Sequence, residues 1–217
     1  MSLLRHGNDN TIIVEMSNEY KIPVASASRR NCGACTLCCK LLGVQEIRKP
    51  AGMMCEQCDE GSGCRIYDSR PRQCRLFNCY FLTNPRLREQ WRPSKSRMVI
   101  VVSPDGLRLG VFVDPARPGA WRREPFYATL KAWSRQALAT PGVMGQVLVS
   151  VGKHTTVILP DRNVDVGMVE EDEVVITEAM PGLKNLSFNA FKLKRDDPRA
   201  ISILGSIQQR SDSGYIF

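Results

Sequence analysis

From Ser94 onward the chain alternates between short apolar runs and clusters of turn-forming residues, and the spacing of those runs predicts strands. Met98 to Val102 and Leu107 to Val113 flank Pro104-Asp105-Gly106. Leu107, Leu109, Val111 and Val113 fall on one face of a strand, so this pair predicts a hairpin. Val147 to Val151 and Thr155 to Leu159 bracket Gly152-Lys153 in the same way. Between the pairs, Phe126, Leu130, Trp133 and Ala137 recur at helical spacing after Pro125, and Pro141-Gly142 closes that helix. Glu173 to Thr177 and Ser187 to Leu193 are further strand candidates. The acidic run Glu170 to Glu173 reads as a solvated turn.

The first part of the chain lacks this periodicity. Residues 1–28 form a lead-in segment with one strand-like patch, Thr11 to Val14. Residues 29–85 are rich in Cys, Arg and Gly and poor in apolar runs, as expected where metal bonds substitute for a hydrophobic core. Within them, Asp68-Ser69 before Arg70-Pro71 predicts a cap and a short helix carrying Cys74, with Cys79 beyond its end. The fold class expected is α+β: a cysteine-rich, metal-stapled module over 29–85, followed by a β-rich region over 94–217 with one clear amphipathic helix.

All nine cysteines of the 217-residue chain lie between Cys32 and Cys79. They read Cys32-x2-Cys35-x2-Cys38-Cys39, then Cys55-x2-Cys58-x5-Cys64-x9-Cys74-x4-Cys79. Packing does not require that density, whereas thiolate metal sites do. A Cys-x2-Cys turn brings two sulfurs to one ion with its amides pointing toward them, and Cys35-x2-Cys38 and Cys55-x2-Cys58 have the separation of a four-cysteine zinc site. The run from Cys32 also begins like a bacterial ferredoxin motif, but Leu42 stands where its next cysteine would fall. Eight thiolates in two centres is the economical partition, and adjacent Cys38 and Cys39 project differently enough to serve separate ones. Disulfides fit poorly: an odd count leaves one thiol unpaired, and the first twenty residues lack the apolar run of a secretory signal. A reducing, cytoplasmic setting is therefore expected, with no membrane span.

The formal charge of +8 counts every cysteine as neutral. Eight thiolates with two divalent ions would leave about +4, which weakens a nucleic-acid reading drawn from net charge. Arg29, Arg30, Lys40, Arg65, Arg70, Arg72 and Arg75 lie beside the cysteines, where they can favour thiolate over thiol or form a solvated basic face. With only His6 and His154 in the chain, histidine-based catalysis has little material.

Cys32-Gly33-Ala34-Cys35-Thr36-Leu37-Cys38-Cys39, followed by Gly63-Cys64-Arg65-Ile66-Tyr67, Arg70-Pro71 and Cys74-Arg75-Leu76-Phe77-Asn78-Cys79, resembles the CxxCxxCC cysteine-cluster family, a zinc- or iron-chelating domain. The resemblance covers about residues 30–82. It implies metal ligation by Cys32, Cys35, Cys38, Cys39, Cys55, Cys64, Cys74 and Cys79; Cys58 matches the common pattern least well and is a further candidate ligand through its pairing with Cys55. The expected function is a cytoplasmic metal-binding protein with polythiolate zinc sites. One alternative is an iron-sulfur protein supporting redox or group-transfer chemistry; another is a zinc-stapled nucleic-acid-binding module, for which Tyr67, Phe77, Tyr80 and Phe81 are the only interleaved aromatics. Neither a protein partner nor a reaction follows from the residues.

Overall fold

The computed structural model describes residues 30–103, 106–139, 145–180 and 187–208, with the side chains of the last four of these left aside. The lead-in segment with Thr11 to Val14, His6, Arg29, the turn residues Pro104 and Asp105, and Pro141-Gly142 lie outside the described residues. Both helices and strands are present, as an α+β pattern requires.

The cysteine segment contains α1 (Leu37–Leu41), a two-residue ladder of β1 (Cys58–Asp59) with β2 (Gly63–Cys64), α2 (Arg72–Leu76) and α3 (Tyr80–Thr83). α4 (Pro93–Ser96) leads into a five-stranded sheet built from β3 (Met98–Val102), β4 (Arg108–Val113), β5 (Gln146–Val151), β6 (His154–Ile158) and β7 (Asn163–Met168), which lie side by side in that order. β3 and β4 form the first expected hairpin, with Ile100 opposite Val111. β5 and β6 form the second, with Val151 opposite His154 across Gly152-Lys153. Gly152 has a φ of 60°, which a residue with a Cβ adopts at a cost.

β4 and β5 are parallel, with Val111 opposite Val149, so the chain must cross over between them. α5 (Phe126–Ala137) makes that crossing and buries Phe126, Leu130, Ser134 and Ala137. Ser134 donates its hydroxyl to the Ile158 carbonyl at 2.5 Å, and Lys131 donates to the carbonyls of Leu159 and Arg162. These bonds fix α5 against β6.

The strand period of two sorts the sheet into two faces. Val147, Val149 and Ile158 join the core beneath α5, while Leu148, Val157 and Leu159 face a second layer, the antiparallel pair β8 (Glu173–Met180) and β9 (Ser187–Lys194). Val175 and Phe188 close that layer against the sheet. Val174 and Ile176, one residue out of phase, pack instead on Ala200 of α6 (Pro198–Gln208). Asp197 starts α6 by accepting from the Arg199 amide at 2.8 Å. The acidic turn before β8 is solvated as expected, its carboxylates paired with lysines: Glu170 with Lys153, Asp172 with Lys194, Glu173 with Lys192.

The cysteine segment does not lie apart from this core. Leu37, Leu41, Tyr80, Phe81 and Leu87 are buried in one cluster with Met98, Val111 and Leu130. Trp91 meets Phe126 edge-on at 4.7 Å between ring centroids and lies 5.2 Å from Trp133, which in turn lies 5.8 Å from Tyr80. Apolar anchors at the two ends of the cysteine segment therefore do part of the work expected of metal bonds. Between them, residues 45–77 contribute only Phe77, half-buried, to that cluster. No helix among the described residues is long and apolar enough to cross a membrane.

Candidate metal centre

Each cysteine is placed by local hydrogen bonding. The Cys35 amide donates to the Cys32 carbonyl at 2.9 Å and the Cys58 amide to the Cys55 carbonyl at 3.0 Å, so both Cys-x2-Cys pairs are closed reverse turns. Cys38 and Cys39 lie on α1. The Cys55 amide donates to the Cys39 carbonyl at 3.1 Å and thereby brings the second turn against that helix. The β1–β2 ladder sets Cys58 directly opposite Cys64. The expected helix carrying Cys74 is present as α2, but Pro71 precedes it and neither Asp68 nor Ser69 caps it. Glu46, brought in from a distant turn, does so: its carboxylate accepts from the Arg72 and Gln73 amides at 2.9 and 2.6 Å. Cys79 lies beyond α2, at the residue preceding α3, and its carbonyl accepts from the Leu82 amide at 2.8 Å.

All nine thiols are free, and only Cys79 is buried. They fall into two neighbourhoods. Cys32 and Cys79 lie near Cys35: burial, then Cys35 and more weakly Cys39, push the Cys32 thiol up, and burial with Cys32 and Cys35 pushes Cys79 up to about 11. The other neighbourhood surrounds Cys39, next to Cys38 on α1 and close to Cys58. The Cys38 thiol, then burial, raises its pKa. Burial and the neighbours Cys39, Cys55 and Cys64 push Cys58 up to about 12, and the same three raise Cys74 after burial. The Cys39-centred group thus contains Cys55, Cys58, Cys64 and Cys74, with Cys38 touching it. Cys58, the residue set aside on sequence grounds, sits within it. Each thiol that ionises here places negative charge beside the next, which a divalent cation would relieve.

Among the described residues, however, no three His, Cys, Asp or Glu side chains converge closely enough to hold a metal ion. The donors have the chemistry for a soft ion and lie near one another without closing on a common point.

Two basic residues that the cysteine spacing gave no reason to single out serve the site. Lys49 donates its ammonium to the carbonyls of Lys40 and Leu42 at the end of α1, and burial there lowers its pKa against the pull of Cys55, Cys39, Cys38 and Cys74. Arg92 donates to the carbonyls of Asn31 and Cys32 at 3.3 and 3.5 Å and lies over Phe81. Of the residues singled out on sequence grounds, Arg30 donates to the carbonyls of Phe81, Asn84, Pro85 and Leu87, and Arg65 pairs with Asp59 at 2.9 Å. His154 is exposed at the start of β6, far in sequence from any cysteine and 3.3 Å from Asp165.

No protein-family model, curated protein or solved structure matches this chain.

Proposed function

We propose that residues 32–79 bind metal through two sets of thiolates, with zinc as the ion, and that this is the protein's biochemical role. The observation that carries the reading is the assembly of free cysteines from separate segments: two closed Cys-x2-Cys turns, the Cys58–Cys64 ladder pair and the Cys55 amide bond to the Cys39 carbonyl. Cys32, Cys35 and Cys79, with Cys38, would form one four-thiolate set. Cys39, Cys55, Cys58, Cys64 and Cys74 would supply the other, with one more sulfur than a tetrahedral ion takes. Bound zinc would draw each set onto a common point and hold the segment between the apolar anchors.

Cys79 supports a second reading. Burial raises its pKa while the adjacent Leu82 and Phe81 amides lower it, and amides so placed tune the potential of an iron-sulfur cluster. That reading makes the protein a redox or group-transfer component. The nucleic-acid reading has less behind it, because Tyr80 and Phe81 are buried and Arg30, Arg65, Arg70 and Arg92 are committed to carbonyls of the module itself.

Anaerobic purification followed by metal, acid-labile sulfide and absorption analysis tests the proposal. About two zinc ions per chain, without colour, supports it. Iron with matching sulfide and visible thiolate-to-iron absorption supports the iron-sulfur alternative. Metal-free protein with nine reactive thiols and an unchanged fold overturns both.

A further inference from the structure

Four of the seven exposed large apolar side chains among the described residues, Ile47, Met53, Tyr67 and Leu76, lie in the cysteine segment. Two of these share a built surface. Glu46 ties the turn Gln45–Ile47 to the start of α2 through the Arg72 and Gln73 amides, and the Gln73 side chain returns a bond to the Glu46 amide at 3.2 Å. On α2 the helical spacing sends Cys74 toward the other thiols and puts Arg72, Arg75 and Leu76 on the opposite face. Their exposure agrees, with Leu76 at 59 % and Ile47 at 43 %. Arg48, Arg72 and Arg75 make no side-chain hydrogen bond or ion pair among the described residues. This sets them apart from Arg65, which pairs with Asp59, and from Arg70, which lies over the Tyr67 ring at 3.5 Å. The two elements that Glu46 joins thus expose Ile47 and Leu76 together with three arginines that have no side-chain partner among the described residues.

We propose that this face is covered by the chain's own N-terminal segment, residues 9–19. Asp9-Asn10-Thr11-Ile12-Ile13-Val14-Glu15-Met16-Ser17-Asn18-Glu19 carries three carboxylates and no basic residue around an apolar run, the complement in charge and polarity of Ile47 and Leu76 with Arg48, Arg72 and Arg75. The other acidic run, Glu170 to Glu173, is already paired with lysines. The tail after Gln208 has one arginine and one aspartate and so offers no net charge.

The tether is long enough. Arg30 is anchored with its guanidinium 4.4 Å over Phe81, and Leu76 lies five residues before Phe81, hence at most roughly 18 Å along the chain. The eleven residues from Glu19 to Arg30 span up to roughly 36 Å. Burying Ile12 to Val14 on Leu76 removes apolar area from water on both sides, and in so small a contact the charge pairs set the register.

Hydrogen exchange on the full chain, purified as for metal analysis, tests this without relying on the metal reading. Amides of residues 11–16 and 72–76 are expected to exchange at least ~10-fold more slowly than in the Leu76→Asp, Ile13→Asp or Arg72→Glu/Arg75→Glu chains, with raised salt weakening the protection. Glu15→Arg/Glu19→Arg added to the double arginine variant should restore it. Unchanged protection of β4 to β6 shows that each variant is folded. Residues 11–16 exchanging as open chain in the wild type overturns the proposal. So does protection that survives Leu76→Asp, which would mean docking elsewhere, such as a sheet edge. Protection of 72–76 that needs raised protein concentration or added duplex DNA would assign the face to a second copy or to nucleic acid instead.

Discussion

Among single residues, the cysteines were legible because their chemistry depends on type and short spacing, and both Cys-x2-Cys turns occur where that spacing put them. What spacing does not carry is which distant thiols become neighbours. Cys79 joins Cys32 and Cys35 across more than forty residues, and Cys58 is brought to Cys39 by a turn and a two-residue ladder. The family resemblance, which Cys58 matches least well, makes Cys58→Ser the mildest expected of the nine substitutions, whereas the Cys55-x2-Cys58 spacing and the ladder pairing with Cys64 set it beside the other thiols. The division into neighbourhoods leads to an asymmetric prediction. Cys32→Ser, Cys35→Ser or Cys79→Ser removes a sulfur from a set with no surplus and should lose a full metal equivalent. Cys55→Ser, Cys58→Ser, Cys64→Ser or Cys74→Ser removes one of five and should lose less. Metal content measured across all nine mutants checks this; equal loss in both sets would remove the partition. Lys49 and Arg92 were not legible, since each acts on backbone carbonyls that only the fold brings within reach.

The two hairpins and α5 stood out as elements because local period and turn chemistry specify them. β7 was missed because its alternation is short and interrupted by Gly167, where φ is 72°. α6 was missed although Asp197-Pro198 is a start signal and Ala200, Ile203, Leu204 and Ile207 recur at helical spacing. The parallel pairing of β4 with β5 has no local signature, since a crossover can return the chain to either edge. α2 shows the same division: its existence could be read from Pro71 and Cys74, whereas its cap comes from Glu46, twenty-six residues away. Glu46→Ala should therefore free the Arg72 and Gln73 amides and destabilise the protein by about 1 kcal/mol, the usual cost of a lost N-cap acceptor. Exchange at these two amides should rise before any change in β4 or β5. Denaturant melts unchanged within ~0.3 kcal/mol would show that α2 is held by Cys74 alone.

At the scale of the whole molecule, the cysteine segment joins the sheet through apolar anchors at its two ends and one buried carboxylate. Metal removal should therefore loosen residues 45–76 most, with Leu37, Leu41, Tyr80 and Phe81 retaining protection because they share the sheet's core. Exchange measured before and after chelation checks this, and equal loosening from residue 37 to 87 would contradict it. Asp114, at the end of β4, has no exposed side-chain area and bonds Lys40 of α1 at 2.9 Å and Arg97 at 2.5 Å. Burial opposes its ionisation, but Lys40, the Ala116 amide and Arg97 outweigh burial, so its pKa lies below the ordinary 3.8. A carboxyl held lower in the folded chain contributes stability that is full above the unfolded value and lost as pH falls through the folded one. Asp114→Asn keeps the shape and removes the charge, leaving Lys40 and Arg97 to turn toward water, with an expected loss of about 1–3 kcal/mol at neutral pH. The loss should appear first as weaker protection of α1 against the sheet. Thermal melts of both chains over an acid series should draw together from pH 3.8 downward and converge once pH has fallen through the lower folded value, because only there does the native carboxyl also carry a proton. A gap between the two chains that stays constant through that range would mean that Asp114 contributes shape and hydrogen bonds rather than charge.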